Sequence, residues 1–446
     1  MAWRRSLAGS VLRDGGSRGV AILAPGMLAV ALLAGCGGDR PLSRGPWRAW
    51  LASPGGDIPF GLEIDGHGED LTARIVNGEE SIEVTDIALE GRRLRLGFPH
   101  YASAITADLA PGGDRLVGEW VRRSGPGKET RMTFHAIHGE HPRFEAVAKE
   151  PPGGSGGGVD GRWRVTFASE EDDSIGIFRT LSDGALIGTF LTVTGDYRYL
   201  AGSWDGKTML LSTFDGAHAF LFEARRDAEG ALGGDFWSRD TWHDTWTARP
   251  DEEAELADGF EQTRWDEETS LAGISFPDLE GTPKSLADPE FAGRARIIEL
   301  FGTWCPNCND AARMLAELQE EYRGRGLSIL GLAFEMTGDP DLDAEQVRIY
   351  KQRFGLEFPV LLAGTAPKAE SSTRLTALDR IRAYPTFIFL DGKGRVEAVY
   401  SGFSGPATGA DHERLRSDFR TLIEKLLEPA ATDPSSSQSP GADQGL

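Results

Sequence analysis

Ala295-Arg296-Ile297-Ile298-Glu299-Leu300-Phe301-Gly302-Thr303-Trp304-Cys305-Pro306-Asn307-Cys308 decides the fold of the C-terminal part of the chain. Residues 295–301 are apolar except at Arg296 and Glu299, the composition of a buried strand. The run leads straight into Cys-x-x-Cys, after which Ala311, Met314, Leu315, Leu318 and Tyr322 recur on one face of a helix. Strand, dithiol and helix in that order put Cys305 at a helix N-terminus. Unpaired backbone N–H groups and the helix dipole stabilise a thiolate there, while Cys308, one turn further in, is shielded. The two sulfurs are therefore expected to have different jobs.

The chain holds only three cysteines, Cys36, Cys305 and Cys308, so no disulfide framework supports it. A bridge between residues three apart closes too short a loop to stabilise much, and the pair points to chemistry instead. Zinc is a competing reading of Cys-x-x-Cys, but with no second cysteine pair it would have to recruit two distant histidines. A peroxidatic cysteine would sit in Thr-x-x-Cys, which the residues before Cys305 do not give. From about Ser270 the pattern runs strand, helix, strand, helix, strand, strand, helix, an α/β order.

Phe276-Pro277-Asp278-Leu279-Glu280-Gly281, Phe301-Gly302-Thr303-Trp304-Cys305-Pro306-Asn307-Cys308 and Tyr384-Pro385-Thr386-Phe387-Ile388-Phe389-Leu390-Asp391 together resemble the TlpA/ResA branch of the thioredoxin superfamily. The resemblance covers residues 270–427. It implies a thioredoxin fold and thiol-disulfide oxidoreductase activity, with a redox-active Cys305–Cys308 disulfide and no cofactor or metal. It places Trp304, Pro306, Tyr384, Pro385 and Thr386 against the substrate. Pro385 matches the proline that the superfamily holds cis beside the dithiol, leaving the backbone of Tyr384 to pair with an extended client segment. Glu299, six residues before Cys305, stands where thioredoxins place a buried aspartate. A carboxyl on an apolar strand should hold its proton tightly and exchange it with Cys308; the alternative is that the longer side chain reaches solvent or an arginine. Residues 344–360 resemble the helix and strand that this branch inserts. A last amphipathic helix carries Leu415, Phe419, Leu422, Ile423 and Leu426.

Upstream, residues 45–248 are rich in Trp, Phe, Gly and Thr, with short alternating runs separated by turns such as Asp205-Gly206 and Asp215-Gly216, the pattern of antiparallel β-structure. Gly45-Pro46-Trp47-Arg48-Ala49-Trp50-Leu51-Ala52-Ser53 matches Gly161-Arg162-Trp163-Arg164-Val165-Thr166-Phe167-Ala168-Ser169, and the same offset brings Gly118-Glu119-Trp120 onto Gly234-Asp235-Phe236. Two related meanders follow, arranged as sandwiches or a barrel, with one joint unit the expectation. Their aromatic stripes read as core. His135, His138 and His141 do not read as a metal site, because a strand aims the first two at opposite faces and Pro142 marks a loop. The region is expected to bind, orient or space, without catalysis of its own.

At the N-terminus, Arg4, Arg5, Arg13 and Arg18 precede an apolar run over residues 20–33, in signal-peptide order. The run is shorter than the ~20 residues a helix needs to cross a bilayer. Leu33-Ala34-Gly35-Cys36 resembles the lipobox of bacterial lipoproteins, which implies cleavage before Cys36 and lipidation of its sulfur. With 47 basic against 69 acidic residues the formal charge is −22, which repels nucleic acid and anionic headgroups. The expected organisation is a signal peptide over 1–35, an anchored linker 36–44, repeats 45–149 and 161–250 around a Gly/Pro linker 150–160, an acidic linker 251–269, the thioredoxin-like domain 270–428 and a disordered tail 429–446. The expected function is a lipid-anchored disulfide reductase of the bacterial envelope, facing the periplasm or extracytoplasmic space. Its expected partners are disulfide-bearing envelope proteins, apocytochromes among those the resemblance implies, and a membrane-bound electron donor. The alternative is an envelope-anchored binding module whose β-rich region captures a partner and whose dithiol senses redox state.

Overall fold

The structure is a computed structural model that describes residues 40–125, 127–144 and 158–428. The signal-peptide and lipobox readings, Cys36 included, lie outside the described residues, as do the tail and most of the Gly/Pro linker.

Alternating residues build nine antiparallel strands first: β1 (Gly45–Ser53), β2 (Gly56–Asp65), β3 (Thr72–Asn77), β4 (Glu80–Val84), β5 (Asp86–Glu90), β6 (Arg93–Phe98), β7 (Ser103–Leu109), β8 (Arg115–Arg123) and β9 (Glu129–His138). Their order, β4-β3-β2-β1-β9-β8-β7-β6-β5, seats the first strand of the meander against the last. The second copy repeats the device with β10 (Gly161–Phe167), β11 (Ser174–Thr180), β12 (Ala185–Thr192), β13 (Gly195–Asp196), β14 (Leu200–Trp204), β15 (Thr208–Phe214), β16 (Ala219–Arg226), β17 (Leu232–Ser238) and β18 (Trp242–Pro250). Here β10 lies between β11 and β18, and an extra β11–β12 pairing closes the sheet into a barrel. The repeat extends to single atoms. A β-carbon on Gly118 would overlap Thr106 O, and one on the equivalent Gly234 would overlap Glu223 O, so both copies need glycine where neighbouring strands cross closely.

Each copy forms its own sheet and curls on itself, because its own last strand covers the edge of its first. The two sheets still share apolar contacts. Trp47, Phe60, Trp120 and Phe134 fill the first, and Phe214, Ala217, Ala219 and Leu221 of the second copy enter that core, with Phe214 and Phe60 ring centroids 4.6 Å apart. Trp163, Phe167, Phe190, Phe222 and Trp246 fill the second barrel.

The C-terminal unit begins with the hairpin β19 (Ser275–Pro277) and β20 (Pro283–Ser285). Its main sheet holds β21 (Ala295–Phe301), β22 (Leu327–Glu335), β23 (Val360–Thr365), β24 (Thr386–Asp391) and β25 (Val396–Ser401) in the order β23-β22-β21-β24-β25. Strand β21 is central, parallel to β22 and antiparallel to β24, which explains why all its residues are buried. Helices α1 (Pro306–Glu321), α2 (Pro340–Phe354), α3 (Lys368–Arg374) and α4 (Ala410–Leu427) complete the unit; the short α3 had no counterpart in the expected order.

The stretch expected as an acidic linker, residues 251–269, is no free spacer. Phe260 meets Tyr400 edge to face at 4.9 Å, Trp265 bridges to Leu378, and Asp266 N donates to Ala377 O (2.7 Å). Its apolar residues draw the acidic sequence onto the sheet. Further bonds tie the β-rich region to the α/β unit: Gln346 Nε2 to Pro99 O (2.7 Å), Arg162 to Asp411 (2.7 Å), and Asn309 Nδ2 to Tyr101 Oη.

Candidate active site

The dithiol is positioned by the end of the central strand. Cys305 N donates to Gly302 O (3.1 Å), a turn that delivers Cys305 as the N-cap of α1. Its backbone is extended (φ −98°, ψ 115°), and its Sγ accepts the Cys308 N–H at 3.4 Å, an orphan donor of the first helical turn. Pro306 occupies the first turn, where a missing N–H costs nothing. Both cysteines are free thiols. Cys305 is 7% exposed and Cys308 fully buried, so only the first can meet another molecule.

The Tyr384–Pro385 bond is cis, and Cys305 Sγ donates to Tyr384 O (3.5 Å). Trp304 is fixed by its indole N–H on Phe334 O (2.9 Å) and lies edge to face with Tyr384 at 5.6 Å. Trp304, Pro306 and Tyr384 line a cleft with Cys305. Thr386 does not: it is fully buried, its hydroxyl donating to Ala383 O (2.9 Å). Its expected place as a side chain facing substrate is therefore corrected, because β24 turns it into the core.

Glu299 is buried beneath the dithiol with Oε1 unpartnered. It is sealed from solvent and pairs with no arginine among the described residues. Burial, reinforced by Cys305, holds its carboxyl well above the ordinary range. Burial, the hydrogen bond and charge of Cys305, and Glu299 likewise push the Cys308 thiol well up. The result is two proton-retaining groups behind one reactive sulfur. Tyr350 Oη donates to Cys308 O (2.8 Å) and braces the helix start.

Several residues that sequence reasoning missed hold this site. Glu335, at the end of β22, accepts from Thr303 N (2.9 Å) and Thr303 Oγ1 (2.7 Å) and so anchors the loop before Trp304. Its signal was a lone acid closing an otherwise apolar strand. Arg122 of β8 donates to Trp304 O (2.9 Å) and Ala217 O (3.0 Å). Arg198 donates to Pro306 O (3.1 Å) and pairs with Asp310, Glu80 and Asp215. Asp196 accepts from Gly405 N and Arg198 N, both at 3.1 Å. No local pattern distinguishes these three from ordinary strand and turn residues. The histidines are engaged locally: His135 stacks on Trp50 and His138 Nε2 contacts Arg44 O (2.6 Å).

Burial raises the Glu335 carboxyl to about 7. The folded protein therefore keeps a proton that the unfolded chain has lost, so stability falls as the pH rises from about 5 to about 8. In Glu335→Gln the amide oxygen still accepts from Thr303 N, and the amide N–H donates to Thr303 Oγ1 in place of accepting from it. We expect the variant to escape Glu335's share of that loss, on the order of 3 kcal/mol, read from melting temperatures of variant and parent at each pH. His100, which burial holds down at about 3, has the opposite slope below about pH 6 and cancels in the comparison.

A strand-fed Cys-x-x-Cys at a helix N-cap, beside a cis-proline at the same end of a five-stranded sheet, defines the C-terminal unit as a thioredoxin-fold domain. Residues 269–399 match the AhpC/TSA family. Among curated proteins the chain is 27% identical over 125 residues to thiol-disulfide oxidoreductase ResA of Geobacillus thermodenitrificans, covering 28% of this chain and 63% of that protein. It is 26% identical over 129 residues to the thioredoxin-like protein YneN of Bacillus subtilis, covering 29% and 68%. The domain is TlpA/ResA-like. A solved thioredoxin family thiol:disulfide interchange protein from Chlorobium tepidum is 24% identical, with 35% of this chain and 93% of that chain covered and a TM-score of 0.27. The chain thus spans 63% of the ResA relative's length, and residues 40–268 lie outside the family match.

Proposed function

We propose that this chain is a membrane-tethered, extracytoplasmic disulfide reductase in which Cys305 attacks and Cys308 resolves. The observation that carries the reading is the asymmetry of the pair: one sulfur at a helix N-cap opening onto a cleft, the other sealed against Glu299. The Cys305 thiolate attacks a client disulfide, forms a mixed disulfide and releases the first client thiolate. Cys308 then loses its proton and attacks the Cys305 sulfur, releasing the second thiolate and leaving the Cys305–Cys308 disulfide. Two electrons pass to the client. Glu299, protonated at rest, is the group placed to relay the Cys308 proton: it gives its own proton toward the departing thiolate and takes up that of Cys308.

The lipid tether rests on the Cys36 sequence pattern, and the direction on the resemblance to ResA. Clients would be disulfide-bearing envelope proteins, and a membrane-bound donor would return the electrons. The binding-module reading has one observation in its favour: Arg122 of the β-rich region bonds the carbonyl beside Cys305 (2.9 Å).

Equilibration of the full chain with glutathione buffers tests the proposal. We expect a potential near or below about −270 mV with rapid insulin turnover under dithiothreitol. A potential near that of a strong oxidant, about −120 mV, overturns the direction. A slow dithiol whose oxidation alters partner binding supports the module instead.

A further inference from the structure

The β-rich region forms a wall over the dithiol. A cleft of about 660 Å³ separates Trp304, Cys305, Pro306 and Tyr384 on one side from the Thr192–Tyr197 segment, Ser238 and Arg239 on the other. That size takes a small disulfide or a few residues of extended chain. A folded surface cannot reach a sulfur that is 7% exposed at its base. Opposite the dithiol, the contact is direct: a β-carbon on Gly195 would overlap Asn307.

The charge of the lining runs against the rest of the protein. A chain of net charge −22 places Arg122, Arg239 and Lys368 in this cleft and only one carboxylate, Asp196, which already accepts two backbone N–H groups. The Nε atoms of Arg122 and Arg239 are buried and have no partner among the described residues. Backbone geometry points the same way. Ala102, Arg198 and Arg239 are the non-glycine residues with left-handed backbone among those described, with φ of 51°, 57° and 60°. Ala102 caps the turn that carries Tyr101 to Asn309, Arg198 holds the start of α1, and Arg239 lines the cleft. All three therefore serve the face turned to the dithiol, where such disfavoured geometry is retained for function.

We propose that this cleft selects disulfides flanked by carboxylates, with Arg122, Arg239 and Lys368 as the specificity determinants. This deepens the reading of Cys305 as nucleophile and rests on it. The carboxylates sit on either side of the scissile bond and meet the guanidinium and ammonium groups as Cys305 bonds to one sulfur and the other departs as thiolate. The cations also stabilise that departing negative charge. Cys308 then displaces the second thiolate, so that two electrons move from the dithiol to the client. The carboxylates belong either to a small disulfide or to side chains flanking a cystine in an extended segment.

The test uses the full chain and three disulfides of similar size: dithiodiglycolate (dianionic), hydroxyethyl disulfide (neutral) and cystamine (dicationic). We expect kcat/KM to fall in that order, by at least about tenfold from first to last, and the spread to shrink in high salt. The double variant Arg239→Gln/Lys368→Gln should lower the rate for the dianion and raise it for the dication, a crossing that a merely structural role does not produce. Equal rates for the three probes with the parent, or a uniform fall in the variant, overturn the proposal; the parent series decides even if the variant fails to fold. Failure of all three probes with the parent overturns the reading of Cys305 itself, whereas equal turnover removes only the charge selection. Peptides with a cystine flanked by Glu or by Gln separate the two sources: a Glu peptide faster than dithiodiglycolate assigns an extended segment, and the reverse order a small disulfide.

Discussion

Cys305→Ser is expected to reduce insulin turnover to the uncatalysed background, a fall of at least about a hundredfold. A serine hydroxyl does not ionise at neutral pH, and nothing nearby can activate it: the group that faces Cys305 Sγ is a carbonyl, Tyr384 O, and Glu299 holds its own proton. Cys308 cannot take over, because it is fully buried and its thiol is held well above its ordinary range by burial, by Cys305 and by Glu299. Cys308→Ser should behave differently. The attack survives and the resolution does not, so a one-to-one mixed disulfide accumulates and is seen on a non-reducing gel. Retention of more than a few per cent of turnover in Cys305→Ser would sink the assignment of roles.

Arg198→Met should cost about 3–5 kcal/mol of stability. Arg198 is buried among Glu80, Asp215 and Asp310. Burial alone would favour losing its proton, and the carboxylates of Asp310 and Glu80 outweigh that and keep it charged. Methionine fills the space and leaves Glu80 without its cation, whereas Asp310 keeps Arg313 (2.7 Å) and Asp215 keeps His218 (3.2 Å). Glu80, which burial already holds above its ordinary range against the pull of Arg198, then keeps a proton that the unfolded chain gives up above about pH 4, so the destabilisation grows as the pH rises. Denaturation of parent and variant at pH 5 and pH 8 should show the larger gap at pH 8. A gap that is equal at both pH values, or below about 1 kcal/mol, would mean that the cluster is not held as an ion network. The three acids come from all three parts of the chain, Glu80 from the first meander, Asp215 from the second and Asp310 from α1, so the variant should also loosen the β-rich region from the dithiol.

The α/β unit was legible because its signals are local. The apolar run of β21, the helical period after Cys308 and the Tyr384-Pro385 pair each announce themselves within a few residues, and Glu299 was conspicuous as a carboxyl inside an apolar strand. The repeat in the β-rich region was equally plain, down to the Gly118 and Gly234 positions. What the sequence could not display was pairing across distance. Whether β18 would meet β10 or a strand of the first copy depends on sheet curvature, which leaves no mark on alternation. Arg122 precedes Trp304 by 182 residues, and Arg198 precedes Pro306 by 108; each reads as a surface arginine until the two halves are packed. Thr386 misled for a related reason, since a motif residue next to Pro385 need not point where its neighbour's backbone does.

The cleft has a kinetic corollary. Cys305 meets the outside through that opening and Cys308 is sealed, so whatever reoxidises the dithiol and whatever re-reduces it must use the same entrance in turn. In the reductase we propose, client and electron donor would therefore compete for occupancy and the reaction would run ping-pong, with a donor segment as slender, and under the charge selection proposed above as acidic, as the client it displaces.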